Sequence, residues 1–228
     1  MIASPRFRMT VAALTLALGA GAASAAGLTL NVANKQANSV QTFSTFAQSQ
    51  FRQVGVTFTA LGNATAVANV KGAYNLPITT ITIGSRLSIQ KGDAKGSALE
   101  FSRVRNGVRL GFTLANFTIN YAEKRVQADT TPFGGQTIKQ LNIYTYNAAK
   151  PLAIKYRFPL SITANEVLDQ LILTPEALEA FTNALQLRRF EAGAITGVSF
   201  GSLTQDISVK FRKRPVSSKP YVPAPVVQ

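Results

Sequence analysis

The sequence predicts a mainly β protein: an antiparallel β-sandwich or barrel-like body with two short helices. Three observations predict it. Most patterned segments alternate apolar and polar residues with period two, the spacing of a strand with one face inward. An Asn106-Gly107 pair sits between two such runs, the strongest short hairpin signal. Helical spacing occurs in two stretches only, one near Phe43 and one at residues 173–197. The 228 residues are 46% hydrophobic and 15% charged, ample for a packed core and too apolar for a disordered chain.

The first 26 residues read as a leader. Arg6 and Arg8 precede the short apolar run VAALTLALGAGA, and ASAA then supplies small residues, the layout of a secretory signal peptide cut after Ala25 or Ala26. The run is too short and too rich in Ala and Gly to span a membrane well. The expected address is therefore secreted or periplasmic, with no transmembrane span after cleavage.

Residues 27–212 are read as a single β-rich domain. LTLNV is a short strand. Val40, Phe43, Ala47 and Phe51 fall on one helical face, with Asn38 or Ser39 as cap and Gly55 past the end. VTFTALGNATAV and PITTITIGSRLSIQ read as strands, and KGDAKGSA as a turn. After Asn106-Gly107, Val108, Leu110, Phe112 and Leu114 alternate on even positions, then Phe117, Ile119 and Tyr121 on odd ones. A strand that keeps its apolar face inward must gain a residue at the switch, which predicts a β-bulge near Ala115–Asn116. TPFGGQT is a loop. IKQLNIYTYN and LAIKYRF are strands, the first with Tyr144 and Tyr146 opposite Leu141 and Ile143.

The stretch at 173–197 begins as a well-signalled helix. Thr174 is a good N-cap, Pro175 occupies the first helical position, and Leu173 is placed to staple onto Leu178. Glu176 and Glu179 lie at the positive end of the dipole, with Arg188 and Arg189 assigned to the negative end. Leu178, Phe181 and Leu185 form the expected buried stripe. FEAGAITGV echoes FTALGNATAV after the first helix and is read as a second helix-to-strand unit. A closing strand alternates Ile207, Val209 and Phe211 against Ser208, Lys210 and Arg212. From Lys213 four prolines and little periodicity predict a basic, extended or disordered tail over 213–228.

Composition excludes several chemistries. The chain has no cysteine, histidine or tryptophan. Disulfide staples, thiolate or His-ligated metal sites and triads built on histidine are impossible. Calcium needs closely spaced oxygen ligands, and KGDAKGSALE offers two acids among lysines. No P-loop occurs. A glycan-active pair among the ten acids is open in principle, but no tryptophan is available to line a sugar cleft. No catalytic residue, metal or cofactor is assigned, and a non-enzymatic role is expected.

Formal net charge is +14, or +12 once the two leader arginines are removed. Such an excess attracts anionic surfaces and polysaccharides. The candidate polyanion-binding residues are Lys155, Arg157, Lys210, Arg212, Lys213 and Arg214, which alternate with core positions or follow the last strand. Nucleic acid is disfavoured, because solvated faces of alternating Lys and Arg explain the same pattern.

One resemblance adds to this. LTPEALEAFTNALQLRRFEAGAITGVSFG, GSALEF and LGFTLANFTINYAEKRVQA resemble the closing segment and central hairpin of secreted bacterial β-rich domains of the HtaA-like kind. That family implies a β-sandwich-like body with two short helices, and its better-known members bind haem through a tyrosine on the first helix and a histidine in the hairpin. This chain departs at both points: SVQTFSTFAQSQ carries Phe43 and Phe46, and AKGSAL has no histidine. Tyr121, Tyr144 and Tyr146 are then the candidate ligand-binding phenols. The expected function is an exported binding or surface-structural protein with a basic face; the alternative is a carrier of haem or another hydrophobic molecule.

Overall fold

The structure is a computed structural model that describes residues 27–84, 88–157 and 161–224. The leader at 1–26 and residues 225–228 lie outside the described residues, as do the side chains of Ile154, Tyr156, Arg157, Ser161, Ile162 and Val209.

Among the described residues twelve strands and three helices follow in the order β1 (Leu28–Asn31), β2 (Lys35–Thr42), α1 (Thr45–Gln53), β3 (Thr57–Gly62), β4 (Thr65–Ala66), β5 (Ala73–Pro77), β6 (Thr80–Ile83), β7 (Ile89–Arg105), β8 (Val108–Asn120), β9 (Arg125–Pro132), β10 (Ile138–Arg157), β11 (Ser161–Leu173), α2 (Pro175–Leu185), α3 (Arg189–Ile195) and β12 (Ser202–Phe211). All belong to one antiparallel sheet of order β1-β6-β7-β8-β9-β10-β11-β12-β2-β5-β4, with β3 sharing the outer edge of β7. The sheet curls into a half-barrel. Residues of β2, β5 and β12 therefore meet residues of β7, β8 and β9 across the interior.

The core is aromatic. Phe101 stacks on Phe112 at 4.9 Å and meets Phe58 edge-on at 5.0 Å, its partners across β8 and β3. Phe51 of α1 and Phe181 of α2 close over Phe101 at 6.0 and 5.6 Å. Arg103, on the same strand, is buried and ties three helices together. It donates to Val54 O just past α1 (3.3 Å) and to Gln186 O just past α2 (2.7 Å), and lies 3.6 Å from Glu191 of α3.

Several local expectations hold. Asn106 and Gly107 have φ of 52° and 78° at the β7–β8 turn, as a primed hairpin requires. The register of β8 against β9 shifts between Ala115 and Thr118, and Asn116 takes φ 53° there, so the bulge lies where the apolar parity switches. Thr174 Oγ1 caps α2 by accepting from Ala177 N at 3.2 Å.

Others are corrected. The helix expected from Val40 starts at Thr45, capped by Ser44; residues 35–42 form a strand, because its inward positions Ala37, Ser39 and Gln41 are small or polar and hide the alternation. KGDAKGSA is no turn but the middle of β7, where Gly96 at φ 78° absorbs a bulge between Ala94 and Ala98. A third helix appears where a strand was expected. α2 stops at Leu185, with Gln186 at φ 48°, and RFEAGAI forms α3. Arg188 therefore starts α3, its backbone N–H donating to Glu191 Oε2 at 2.7 Å, while Arg103 and Arg105 take the carbonyl at the end of α2. The buried face of α2 is Ala177, Phe181 and Leu185, with Leu178 half-buried. Residues 213–224 run extended along the body and are hydrogen-bonded to it, for example Val216 N to Ala33 O at 3.2 Å; this is one of the two states expected for them.

Candidate functional site

Pairing of β10, β11, β12 and β2 assembles a cationic end of the sheet from residues far apart in sequence. Lys155 faces Thr163, Thr163 faces Ser208, and Ser208 faces Gln36, so the four form one cross-strand row. Ala153, Asn165, Asp206 and Asn38 form the next row on that face, and Lys150, Val167, Thr204 and Val40 the one after. The opposite face carries Glu166, Leu168, Gln205, Leu203, Ser39 and Gln41, all buried. The three rows, with Lys150 and Lys155 in them, thus point outward.

The predicted cations distribute as follows. Lys155, Lys210, Lys213 and Arg214 are exposed at this end. Arg212 is half-buried and committed to the fold: it donates to Asn38 Oδ1 at 3.0 Å and to Ala37 O. Burial there pushes its guanidinium pKa down, and it is withdrawn from the candidate set as a free cation. The side chain of Arg157 lies outside the described residues, although its backbone pairs with Ser161 at the same end. Two cations were missed. Lys150 reaches Asn165 Oδ1 at 2.8 Å, and Lys35 sits 3.4 Å over the ring of exposed Phe211. Lys35 lies 176 positions from Phe211 and joins it through the β12–β2 register; no local signal marks it. Phe211, expected to face inward, is 68% exposed because the register slips between Ser208 and Phe211.

Acids counter this charge weakly. Glu166, Glu191 and Asp129 are buried, whereas Arg103 is the buried cation among the described residues. Asp206 is the acid within the rows above. The positive excess is therefore concentrated on the surface.

The three candidate tyrosines face the interior. Tyr144 is fully buried, its hydroxyl 3.5 Å from Gln41 Nε2, and desolvation raises its pKa. Tyr146 is 7% exposed, and desolvation followed by the charge of Glu166 pushes it up to about 12. Tyr121 donates to Glu166 Oε2 at 2.6 Å, and Gln205 Nε2 donates to both oxygens, at 2.9 Å to Tyr121 and 2.6 Å to Glu166. Burial, reinforced by Glu166, drives the Tyr121 phenol far above its usual range. Burial thus favours the neutral form of all three phenols.

Glu166 itself is a buried carboxylate with its pKa raised by desolvation, against which the Tyr121 hydrogen bond acts. The folded protein then holds a proton there that the unfolded chain has already lost, so stability falls as pH rises from about 4.5 through the folded value. Glu166→Gln keeps an acceptor for Tyr121. The variant is expected to melt higher than the wild type at pH 8, with the gap closing as pH falls toward 4; thermal melts across that range read it.

The cavity inside the curled sheet is small, about 20 Å³, lined by Ser39, Gln41, Leu76, Phe117, Val126 and Leu203 among others. It has room for one water and none for a porphyrin or acyl chain. The larger clefts of about 320 to 470 Å³ open to solvent. Of the two phenylalanines read onto the first helix, Phe43 precedes α1 and is buried and stacked on Phe58 at 4.8 Å, whereas Phe46 is on α1 and exposed. No helix of the described residues is long and apolar enough to cross a membrane, and no group of three or more metal-ligating residues occurs among them.

No family model matches the chain, and no curated protein matches it. Among solved structures, the C-terminal domain of HtaA from Corynebacterium glutamicum matches with a TM-score of 0.48 at 12% identity, covering 76% of this chain and 97% of that domain. This is a distant structural resemblance, and the roles of individual residues do not transfer across it.

Proposed function

We propose that the chain is an exported, non-enzymatic β-rich protein that binds an anionic surface or polysaccharide through the cationic end of its sheet. The observation that carries this reading is the strand register that places Lys150 and Lys155 on one outward face, with Lys210, Lys213 and Arg214 exposed on and just after β12. Lysines on an outward face keep their hydration and flexibility, which suits attraction to a diffuse polyanion more than recognition of one small ligand. The filled core argues against the alternative of a hydrophobic carrier.

The test uses heparin and, separately, vesicles containing anionic lipid. Binding is expected to weaken steeply between low salt and about 0.5 M, where the screening length falls to about 4 Å. Lys155→Glu combined with Lys210→Glu and Arg214→Glu is expected to lower affinity at least about tenfold at low salt, since each reversal changes a surface attraction into repulsion. The control Arg52→Glu with Lys71→Glu makes a smaller charge change far from the patch in sequence. Binding that survives high salt, or equal losses per charge reversed in both variants, would remove the site.

A further inference from the structure

Residues 213–224 lie across the body in a groove that two asparagines build. Asn63, just past β3, brackets Ser217: its Nδ2 donates to Ser217 O at 2.7 Å and its Oδ1 accepts from Ser217 N at 3.2 Å. Asn116, at the β8 bulge, brackets Tyr221 in the same way, accepting from Tyr221 N at 2.7 Å and donating to Tyr221 O at 3.0 Å. Each side-chain amide thus meets both main-chain groups of one residue, as a neighbouring strand would, and the two bracketed residues stand four apart. In an extended chain that spacing is about 13 Å.

The groove is prepared for this. Asn116 is 5% exposed, and its amide is aimed by Asp129, which accepts from Asn116 Nδ2 at 2.9 Å. Asp129 is fixed in turn by Gln140 N at 3.0 Å, Gln140 Nε2 at 3.2 Å and Lys139 Nζ at 3.1 Å. Burial would raise the Asp129 pKa, but these hydrogen bonds outweigh it and hold the carboxyl below its usual value. Gly96, where β7 bulges, leaves the floor open. A Cβ there would lie 3.0 Å from the carbonyl oxygens of both Ser217 and Lys219. At Gly62 a Cβ would stand 2.8 Å from the Tyr221 ring. The β7 bulge at Gly96 and the β8 bulge at Asn116 are therefore both used to receive this segment.

The segment contributes little apolar surface in exchange. Lys219 and Pro220 are exposed, and Val222 is 79% exposed. Recognition runs through the main chain, and the prolines keep the segment extended before docking, which lowers the ordering cost.

We propose that this groove is a recognition site for an extended peptide, that its occupant is residues 213–224 of the chain, and that the docked segment is exchangeable. The experiment uses the full chain. Tyr221→Pro removes the N–H that Asn116 accepts and leaves the body unaltered. Hydrogen exchange at the Ser217 amide is expected to quicken at least about tenfold in this variant, because the two brackets act together. A labelled peptide of residues 213–224 is then expected to bind the variant saturably, with Kd on the order of 100 μM or tighter. It should bind the wild type far more weakly, since the tethered segment competes at high effective concentration. The same peptide carrying Tyr221→Pro has equal charge and is expected not to bind. Adding Asn116→Gly, which suits the positive φ, is expected to abolish binding, and Asn63→Ala serves if that variant does not fold. Unchanged Ser217 exchange in the Tyr221→Pro protein overturns the bracketing, and failure of the peptide to bind the vacated groove overturns the recognition site.

Discussion

Phe101→Ala is expected to destabilise the protein by about 4 kcal/mol, read as a fall in the urea midpoint at unchanged slope. Phe101 is completely buried, and its ring touches those of Phe43, Phe51, Phe58, Phe112 and Phe181. It therefore joins α1, α2, β3 and β8 through one side chain. Truncation loses the transfer free energy of the ring and leaves a void that five fixed neighbours cannot fill, which places the cost at the upper end for a core phenylalanine. Phe190→Ala is the comparison. Phe190 is 65% exposed on α3 and is approached by Arg188 at 4.5 Å, so a change within about 0.5 kcal/mol is expected. A loss below about 1 kcal/mol at Phe101 would mean that the helices do not close on the sheet as described.

Arg103→Met is expected to cost about 3 kcal/mol, by a different mechanism. The guanidinium is buried beside the C-terminal ends of α1 and α2, and its removal leaves the carbonyls of Val54 and Gln186 without this donor. It also leaves Glu191 buried with Arg188 as its remaining partner, at 2.9 Å. Pairing Arg103→Met with Glu191→Leu removes both charges and is expected to restore part of the loss, so the two changes should be non-additive by at least about 1 kcal/mol. The pH dependence carries a second signature. Burial would raise the Glu191 pKa, but hydrogen bonds from Arg188 and the charges of Arg103 and Arg188 prevail and lower it. Its contribution is present above the unfolded value of about 4.5 and is lost as pH falls through the folded one. In Arg103→Met that acid sensitivity should shrink, because one of the cations that lowers the pKa is gone.

These two residues mark where sequence reasoning succeeds and where it stops. Phe101 belongs to a run of alternating residues, so its burial is readable from period two. Arg103 sits two positions on, in the same parity, and looks like an ordinary surface cation; its partners lie 49, 83 and 88 positions away. The same holds for the cationic end. Lys155 and Lys210 were visible as outward members of strands, whereas Lys35 needed the β12–β2 register to reach Phe211. Arg212 fits the cationic pattern in sequence, and only its bonds to Asn38 and Ala37 show that it is occupied. The tyrosines of β10 illustrate the reverse error. Alternation put Tyr144 opposite Ile143, yet both are buried beside a register shift between Asn142 and Tyr144.

The sequence by itself determined the β class, the Asn106-Gly107 hairpin, the bulge at Ala115–Asn116 and the cap of α2. Each is a local matter, decided by side-chain period or backbone φ within a few residues. The absent cysteine and histidine likewise excluded whole chemistries without any structure. Only the tertiary structure decided what the bulge is for, that Asn116 grips the main chain of Tyr221 from 105 positions away. It also decided that the interior is filled and which cations share a face. Those outcomes depend on strand register and sheet curl. Both are set by the sum of many weak long-range contacts, and no short window of sequence contains that sum.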